Sequence, residues 1–259
     1  MTRFLVLATI FFAPACLPGL RPACAADGPK PQTFDSNGAK ICYVVEGEGP
    51  PVVLIHGLHA SAAINWGLPS IIEMLARDHR VIALDLRGHG GSDKPDKEDA
   101  YGTEMVEDVV RLMDHLGVKK AHIVGYSLGG MITVKLMTLH PERVLSGTVC
   151  GMGWFREGSA LQKIWERGPL REGSRTPAEC IRSIGKLAVT EEEIKGIRVP
   201  VVVLVGDRDP VKPLYVAPLQ QVRPDWPVIE IQDAGHLNCI MKTQFKEEIR
   251  KSLARHVQP

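Results

Sequence analysis

The segment His122-Ile-Val-Gly125-Tyr-Ser127-Leu-Gly129-Gly130 decides the fold, because it joins a short apolar run to a segment with helical spacing. Its centre has the pattern Gly-x-Ser-x-Gly. In a sharp turn from strand to helix, neighbouring backbone comes so close that side chains two positions from the central residue must be absent. Such a turn exposes the Ser127 hydroxyl above a sheet, beside the N–H groups that begin the next helix. The alternative is that Ser127 only caps that helix.

Apolar runs and helical patterns alternate on both sides of this segment. The predicted strands are, in chain order, 40–45, 51–55, 80–85, 121–125, 144–149, 199–205 and 228–231. The predicted helices are 70–76, 103–116, 128–139, one near 214–221, and 242–255. This alternation predicts parallel crossovers and therefore an α/β sheet with both faces covered.

The N-terminus has the pattern of a secretory signal peptide, which we assign to residues 1–25. Arg3 precedes an apolar run at 4–13 that is too short to span a bilayer, and the small residues Ala23-Cys24-Ala25 precede the expected cleavage site between Ala25 and Ala26. The sequence therefore predicts a periplasmic or secreted protein without stable membrane insertion.

The rest of the chain divides into a leader and one domain. Residues 26–38 are polar and contain Pro and Gly, so we expect a flexible leader. Residues 39–259 form the α/β domain, interrupted at about 151–196 by a stretch without strand pattern that we interpret as a helical insertion. The insertion falls where an open α/β sheet places its ligand crevice.

Composition limits the partners of this domain. The 259 residues carry 31 Lys and Arg against 30 Asp and Glu, which gives a formal charge of +1 and no broad field to attract nucleic acid. A small molecule is the expected partner. Four cysteines remain after the predicted cleavage, and the sequence cannot choose among three full pairings or exclude that most are buried free thiols: Cys42, Cys150, Cys180 and Cys239. No spacing typical of a zinc site is present.

Ser127 requires a base and a group to orient that base, because an alcohol is a poor nucleophile near neutral pH. His236 follows the last predicted strand, and Asp209 follows the strand at 199–205. Loops after parallel strands meet at one sheet edge, so these side chains can converge. Asp207 is a second candidate acid; we favour Asp209 because it lies further out on its loop. His56 also follows a strand, but its neighbour Gly57 suggests a backbone role.

A tetrahedral intermediate also needs preorganised N–H donors for its oxyanion. The residue after the nucleophile, Leu128, offers one backbone N–H. The turn His56-Gly57 after an earlier strand leaves the N–H of Leu58 free to be the second. The alternative is that His56-Gly57 is a plain turn.

These motifs resemble the α/β-hydrolase superfamily, in particular its esterase, perhydrolase and C–C hydrolase branch. The resemblance covers nearly the whole chain after residue 38 and includes Asp85-Leu-Arg-Gly-His-Gly-Gly-Ser92 and Gly206-Asp-Arg-Asp-Pro210. It implies a mostly parallel eight-stranded sheet, no cofactor, and a triad of Ser127, Asp209 and His236. The insertion is shorter than the helical lid usual in this branch, which implies a more open site.

Two further points follow from the resemblance. Within the insertion, Trp154, Phe155 and Trp165 could form the wall of an acyl or alcohol pocket, and Trp154 is our candidate; the alternative is burial in the core, which is more common for aromatic residues on a short helix. The expected activity is hydrolysis of small carboxylic esters through an acyl-enzyme. The alternatives are a ligand-binding or sensory homologue with slow turnover, and an acyltransferase or perhydrolase.

Overall fold

A sheet of eight strands runs through the computed structural model, which describes residues 29–168 and 175–255. The strands are β1 (Gln32–Ser36), β2 (Ala39–Glu46), β3 (Pro51–Ile55), β4 (Arg80–Leu84), β5 (Ala121–Tyr126), β6 (Val144–Cys150), β7 (Val201–Gly206) and β8 (Val228–Ile231). Their order in the sheet is β1-β2-β4-β3-β5-β6-β7-β8. Strand β2 is antiparallel to both neighbours, and every other pairing is parallel. The predicted α/β fold with a mostly parallel sheet is confirmed.

Helices cover both faces of this sheet. In chain order they are α1 (Ile71–Leu75), α2 (Glu104–His115), α3 (Leu128–Leu139), α4 (Ala160–Glu166), α5 (Ala178–Ser183), α6 (Glu191–Gly196), α7 (Ala217–Val222) and α8 (Thr243–Ala254). One apolar core contains side chains of α2, α3, α6 and α7, and the other contains those of α1 and α8. Because both faces are covered, the central strands are apolar throughout, and all six residues of β5 and of β7 are buried.

The leader prediction is wrong for residues 32–38. Residues 32–36 form edge strand β1, which pairs with β2 and buries Phe34 and Ser36. The Phe34 ring stacks on His115 with ring centroids 5.1 Å apart, and the Ser36 hydroxyl donates to the buried Asp108 carboxylate. An edge strand buries only alternate residues on one face, so a polar composition does not exclude it.

The segment predicted as a helical insertion contains helices. Helices α4, α5 and α6 lie within the predicted insertion, between β6 and β7. The predicted signal peptide 1–25 and its cleavage site lie outside the described residues.

The four cysteines Cys42, Cys150, Cys180 and Cys239 are free thiols, and all but the half-buried Cys42 are buried. In the described ranges, no helix has the length and apolarity needed to span a bilayer.

Candidate active site

The turn between β5 and α3 holds Ser127 in a strained conformation. Its φ is 54° and its ψ is −112°, outside the regions that residues other than glycine normally adopt. The motif glycines allow the close approach that this turn requires. A Cβ on Gly125 would lie 2.1 Å from the carbonyl oxygen of Gly129, and a Cβ on Gly129 would lie 2.0 Å from that of Ile55. Any side chain at either position would therefore displace the backbone.

The structure brings Ser127, His236 and Asp209 together in one hydrogen-bonded chain. The Nε2 atom of His236 lies 2.9 Å from the Ser127 Oγ, and its Nδ1 atom lies 2.9 Å from an Asp209 carboxylate oxygen. The other Asp209 oxygen accepts the Val211 N–H at 2.9 Å, which orients the carboxylate. All three of these side chains are buried. This geometry suits proton transfer from the hydroxyl to the imidazole.

Asp207, the alternative acid, has a different role. Its carboxylate accepts the backbone N–H of Ala234 at 2.9 Å and so braces the loop that carries His236. This hydrogen bond is the main cause that lowers the pKa of Asp207. The geometry therefore favours Asp209 as the partner of the imidazole.

The two predicted oxyanion donors flank the serine. Leu58 follows β3 and Leu128 is the first residue of α3, and both line the pocket at Ser127. The two segments are in close contact, since a Cβ on Gly57 would lie 3.2 Å from the Ser127 Cβ. In the part of the chain that the structure describes, neither backbone N–H donates to another protein group. Both are thus available to a ligand.

The pocket beside Ser127 is narrow and apolar. The free space is about 30 Å³. Beyond Leu58, Leu128 and the polar pair Ser127 and His236, its described lining consists of Met131, Met152, Trp165, Ile184, Pro210, Val211, Leu214 and Tyr215. No charged side chain belongs to that lining among residues 29–168 and 175–255.

Trp154, the predicted pocket residue, does not line this pocket. Its side chain is buried, and its indole N–H donates to the carbonyl oxygen of Val189 at 3.0 Å, which ties the end of β6 to the insertion. Trp165 of α4 takes the place at the pocket wall instead, where its indole N–H lies 3.4 Å from the Tyr215 hydroxyl. Of the aromatic residues considered for the pocket wall, Trp165 therefore lines the pocket, whereas Trp154 is buried in the core, as the alternative for it held.

Two residues near the triad escaped the sequence analysis. The hydroxyl of Tyr126 donates to the backbone carbonyl of His236, and the two rings lie 5.7 Å apart. The side chain of Asn65 accepts the Gly57 N–H at 2.8 Å. Neither residue belongs to a motif, since Tyr126 occupies a variable position of Gly-x-Ser-x-Gly and Asn65 lies in a short π-helical turn, Ala63–Gly67.

Comparison with known proteins places the chain in a family. Residues 50–192 match the model of the alpha/beta hydrolase fold family, and the chain belongs to that family. The solved enol-lactonase from Burkholderia xenovorans LB400 has the same fold, with a TM-score of 0.72 at 24% identity over 86% of this chain and 100% of that one.

Two curated relatives show how far the similarity extends. An uncharacterized carboxylesterase of Bacillus subtilis is 25% identical over 239 residues, which cover 78% of each chain. A dihydrolipoyllysine-residue acetyltransferase component of an acetoin cleaving system from Pseudomonas putida is 38% identical over 142 residues, which cover 53% of this chain and 37% of the relative. The chain thus spans well under half the length of the latter protein. Together with the family match, the Bacillus subtilis relative supports a hydrolase.

Proposed function

We propose that the protein is a serine hydrolase that cleaves small, uncharged carboxylic esters through an acyl-enzyme. The observation that carries this proposal is the chain of two 2.9 Å hydrogen bonds from Ser127 through His236 to Asp209. The mostly apolar described lining beside Ser127, which has no charged side chain, supports the substrate class, because a buried charge without a partner is strongly disfavoured.

Each residue has a role in this mechanism. His236 takes the Ser127 proton at Nε2 as the hydroxyl oxygen attacks the ester carbonyl carbon, and Asp209 stabilises the imidazolium. The carbonyl oxygen becomes an oxyanion that accepts the N–H groups of Leu58 and Leu128. The imidazolium then protonates the leaving alcohol as the C–O bond breaks. Water attacks the acyl-enzyme by the same steps in reverse, which releases the acid and regenerates Ser127.

Labelling with a fluorophosphonate tests this function. The reagent reacts with serines that a neighbouring base activates, so we expect one adduct, on the peptide that contains Ser127, and none in Ser127→Ala. Release of 4-nitrophenol from 4-nitrophenyl acetate should persist over many turnovers and disappear in the same variant. Adduct formation with only a single turnover would instead indicate a binding or sensory protein.

Acyl transfer is the second candidate, and the acetyltransferase name of one relative favours it. The two activities differ in what attacks the acyl-enzyme. Adding methanol or a thiol to the ester assay and measuring the ratio of transferred to hydrolysed product separates them. A ratio well above that expected from the concentrations of the nucleophiles would identify a transferase.

We also propose that the protein is exported to the periplasm or beyond the cell. The proposal rests on the charged, apolar and small-residue pattern of residues 1–25. N-terminal sequencing of the protein recovered from a periplasmic fraction should begin at Ala26. Recovery of the full-length chain from the cytoplasm only would contradict it.

A further inference from the structure

The two peptide groups that flank Gly57 are each held by a side chain other than those of Ser127, His236 and Asp209. The Gly57 carbonyl oxygen lies 2.7 Å from the Nδ1 atom of His56, and it also accepts the Ala60 N–H at 3.2 Å. On the other side of the same residue, the Gly57 N–H donates to the Asn65 amide oxygen at 2.8 Å. Gly57 itself has no side chain to fix it, so these contacts decide its orientation.

The hydrogen bonds of His56 determine its tautomer. Its Nε2 atom lies 2.9 Å from the backbone nitrogen of Leu86, which can only donate, so Nε2 must be the acceptor. The ring proton is therefore on Nδ1 and points at the Gly57 carbonyl oxygen. Burial lowers the pKa of His56 to about 4, so the ring stays neutral near pH 7. The imidazole thus accepts a hydrogen bond from the Leu86 N–H at Nε2 and donates one from Nδ1 to the Gly57 carbonyl oxygen.

This arrangement has a direct consequence for Leu58. The structure contains no cis peptide bond within the described residues, and in a trans peptide the C=O and N–H point in opposite directions. Because the Gly57 carbonyl points towards the His56 ring, the N–H of Leu58 points in the opposite direction, away from that ring. Donation to a carbonyl also polarises its peptide, which strengthens the N–H as a donor.

We propose that His56 and Asn65 are positioning residues, which together aim the Leu58 N–H at the oxyanion formed on Ser127. The assignment rests on the proposed function, since an oxyanion requires attack by the serine. Neither side chain touches the reacting atoms. Their effect should therefore fall on the transition state, in which the negative charge develops, and not on binding of the neutral ester.

Asn65→Ala tests the half-buried side of this arrangement. Loss of the acceptor should free Gly57 to rotate and lower kcat about 10- to 100-fold with KM unchanged, somewhat less than the loss of a complete oxyanion donor. The matched control is Ile64→Ala, which truncates an exposed neighbour in the same turn and should leave kcat unchanged. Unchanged kcat in Asn65→Ala, or a raised KM with normal kcat, would overturn the role of Asn65.

A pair of ketones separates positioning from general damage. A trifluoromethyl ketone analogue adds to Ser127 and presents an oxyanion, whereas the methyl ketone analogue resembles the substrate. In Asn65→Ala we expect affinity for the trifluoromethyl ketone to fall in proportion to kcat, and affinity for the methyl ketone to stay constant. Equal losses for both ketones would indicate a merely structural role.

Two variants of His56 test the other side. His56→Asn keeps an N–H donor at the δ position but cannot accept from the Leu86 N–H, whereas His56→Leu keeps the apolar volume and makes neither hydrogen bond. His56→Asn should therefore retain at least tenfold more kcat than His56→Leu among folded protein, judged by thermal unfolding. The reverse order, or equal kcat values, would overturn the proposal. Fluorophosphonate labelling of the wild type is independent of these results, so failure of the serine mechanism would be recognised separately.

Discussion

The hydroxyl of Tyr126 donates a hydrogen bond to the backbone carbonyl of His236, so the residue before Ser127 holds the loop that carries His236. The two rings also pack at 5.7 Å, and Phe245 packs edge-on against the outer side of Tyr126 at 5.9 Å. Gly151 lies beside both rings: a Cβ on Gly151 would lie 3.3 Å from the Tyr126 ring and 3.4 Å from the His236 ring. The end of β5 thereby contacts both Ser127 and the loop that carries His236.

Tyr126→Phe should remove the hydrogen bond to the His236 carbonyl while keeping the aromatic ring packed in the core. The buried carbonyl of His236 would lose its donor, which costs about 1–3 kcal/mol in the free energy of unfolding. Because the imidazole gains freedom to move from Ser127, we expect kcat to fall about tenfold. Tyr43→Phe is the matched control: that buried tyrosine bonds His115 and Gln32 instead, so its loss should change stability and not kcat. An unaltered kcat in Tyr126→Phe would contradict the positioning role.

Asp209→Asn tests which acid orients the imidazole. An amide at 209 can donate to Nδ1 and so favour the wrong tautomer, for which we expect a loss of about 10⁴-fold in kcat. Asp207→Asn should lower kcat tenfold at most, because Asp207 contacts the backbone of Ala234 and not the ring. Steady-state kinetics of both variants, with folding checked by circular dichroism, decide the matter. A larger loss for Asp207→Asn would exchange the two assignments.

The positions of Ser127, Asp209 and His236 were accessible from sequence because each follows a recognisable strand. Strands β5, β7 and β8 are parallel and end at the same sheet edge, so a local pattern was enough to bring together residues more than a hundred positions apart. The turn glycines added the conformation of Ser127. Local sequence thus carried both the fold and the placement of these three side chains.

Features that depend on packing between distant segments were not accessible. The acceptor role of the His56 ring is decided by the Leu86 N–H, thirty positions away, and only the adjacency of β3 and β4 brings the two together. Trp154 and Trp165 are both tryptophans of the same insertion, so the sequence does not distinguish them. The path of the chain after β6 decides that Trp165 lines the pocket. Edge strand β1 is stabilised by contacts with β2 and α2, which the polar composition of residues 32–36 does not reveal.

The apolar pocket predicts discrimination against charged acyl groups. A carboxylate on the acyl chain would be buried without a cation in the described lining, at a cost of several kcal/mol. We therefore expect kcat/KM for 4-nitrophenyl butyrate to exceed that for 4-nitrophenyl hydrogen succinate by about 100-fold or more. Rates of hydroxide hydrolysis correct for the different reactivity of the two esters. Equal corrected values would show that a cation does reach the bound acyl group.

His89 and His56 together predict that stability falls in mild acid. The rings lie 5.2 Å apart, both are buried, and the Nε2 atom of His89 has no hydrogen-bond partner among the described residues. Burial lowers the pKa of His89 to about 3, with a further contribution from the charge of His56, whose own pKa is lowered to about 4. Both rings therefore remain neutral in the folded protein at a pH where they take up protons in the unfolded chain.

The direction of the effect follows from proton uptake. Below the unfolded pKa of about 6.5 the unfolded chain binds more protons than the folded protein, so the free energy of unfolding decreases as the pH falls from 6.5 towards 4. By pH 5 each ring should account for about 2 kcal/mol of this decrease. His89→Phe removes one titrating ring and an unpartnered nitrogen, so the difference in the free energy of unfolding between pH 7 and pH 5, measured with urea, should be about 2 kcal/mol smaller than in the wild type. If the free energy of unfolding changed with pH by the same amount in both proteins, the pKa of His89 would be the same in the folded protein as in the unfolded chain, and the prediction would be wrong.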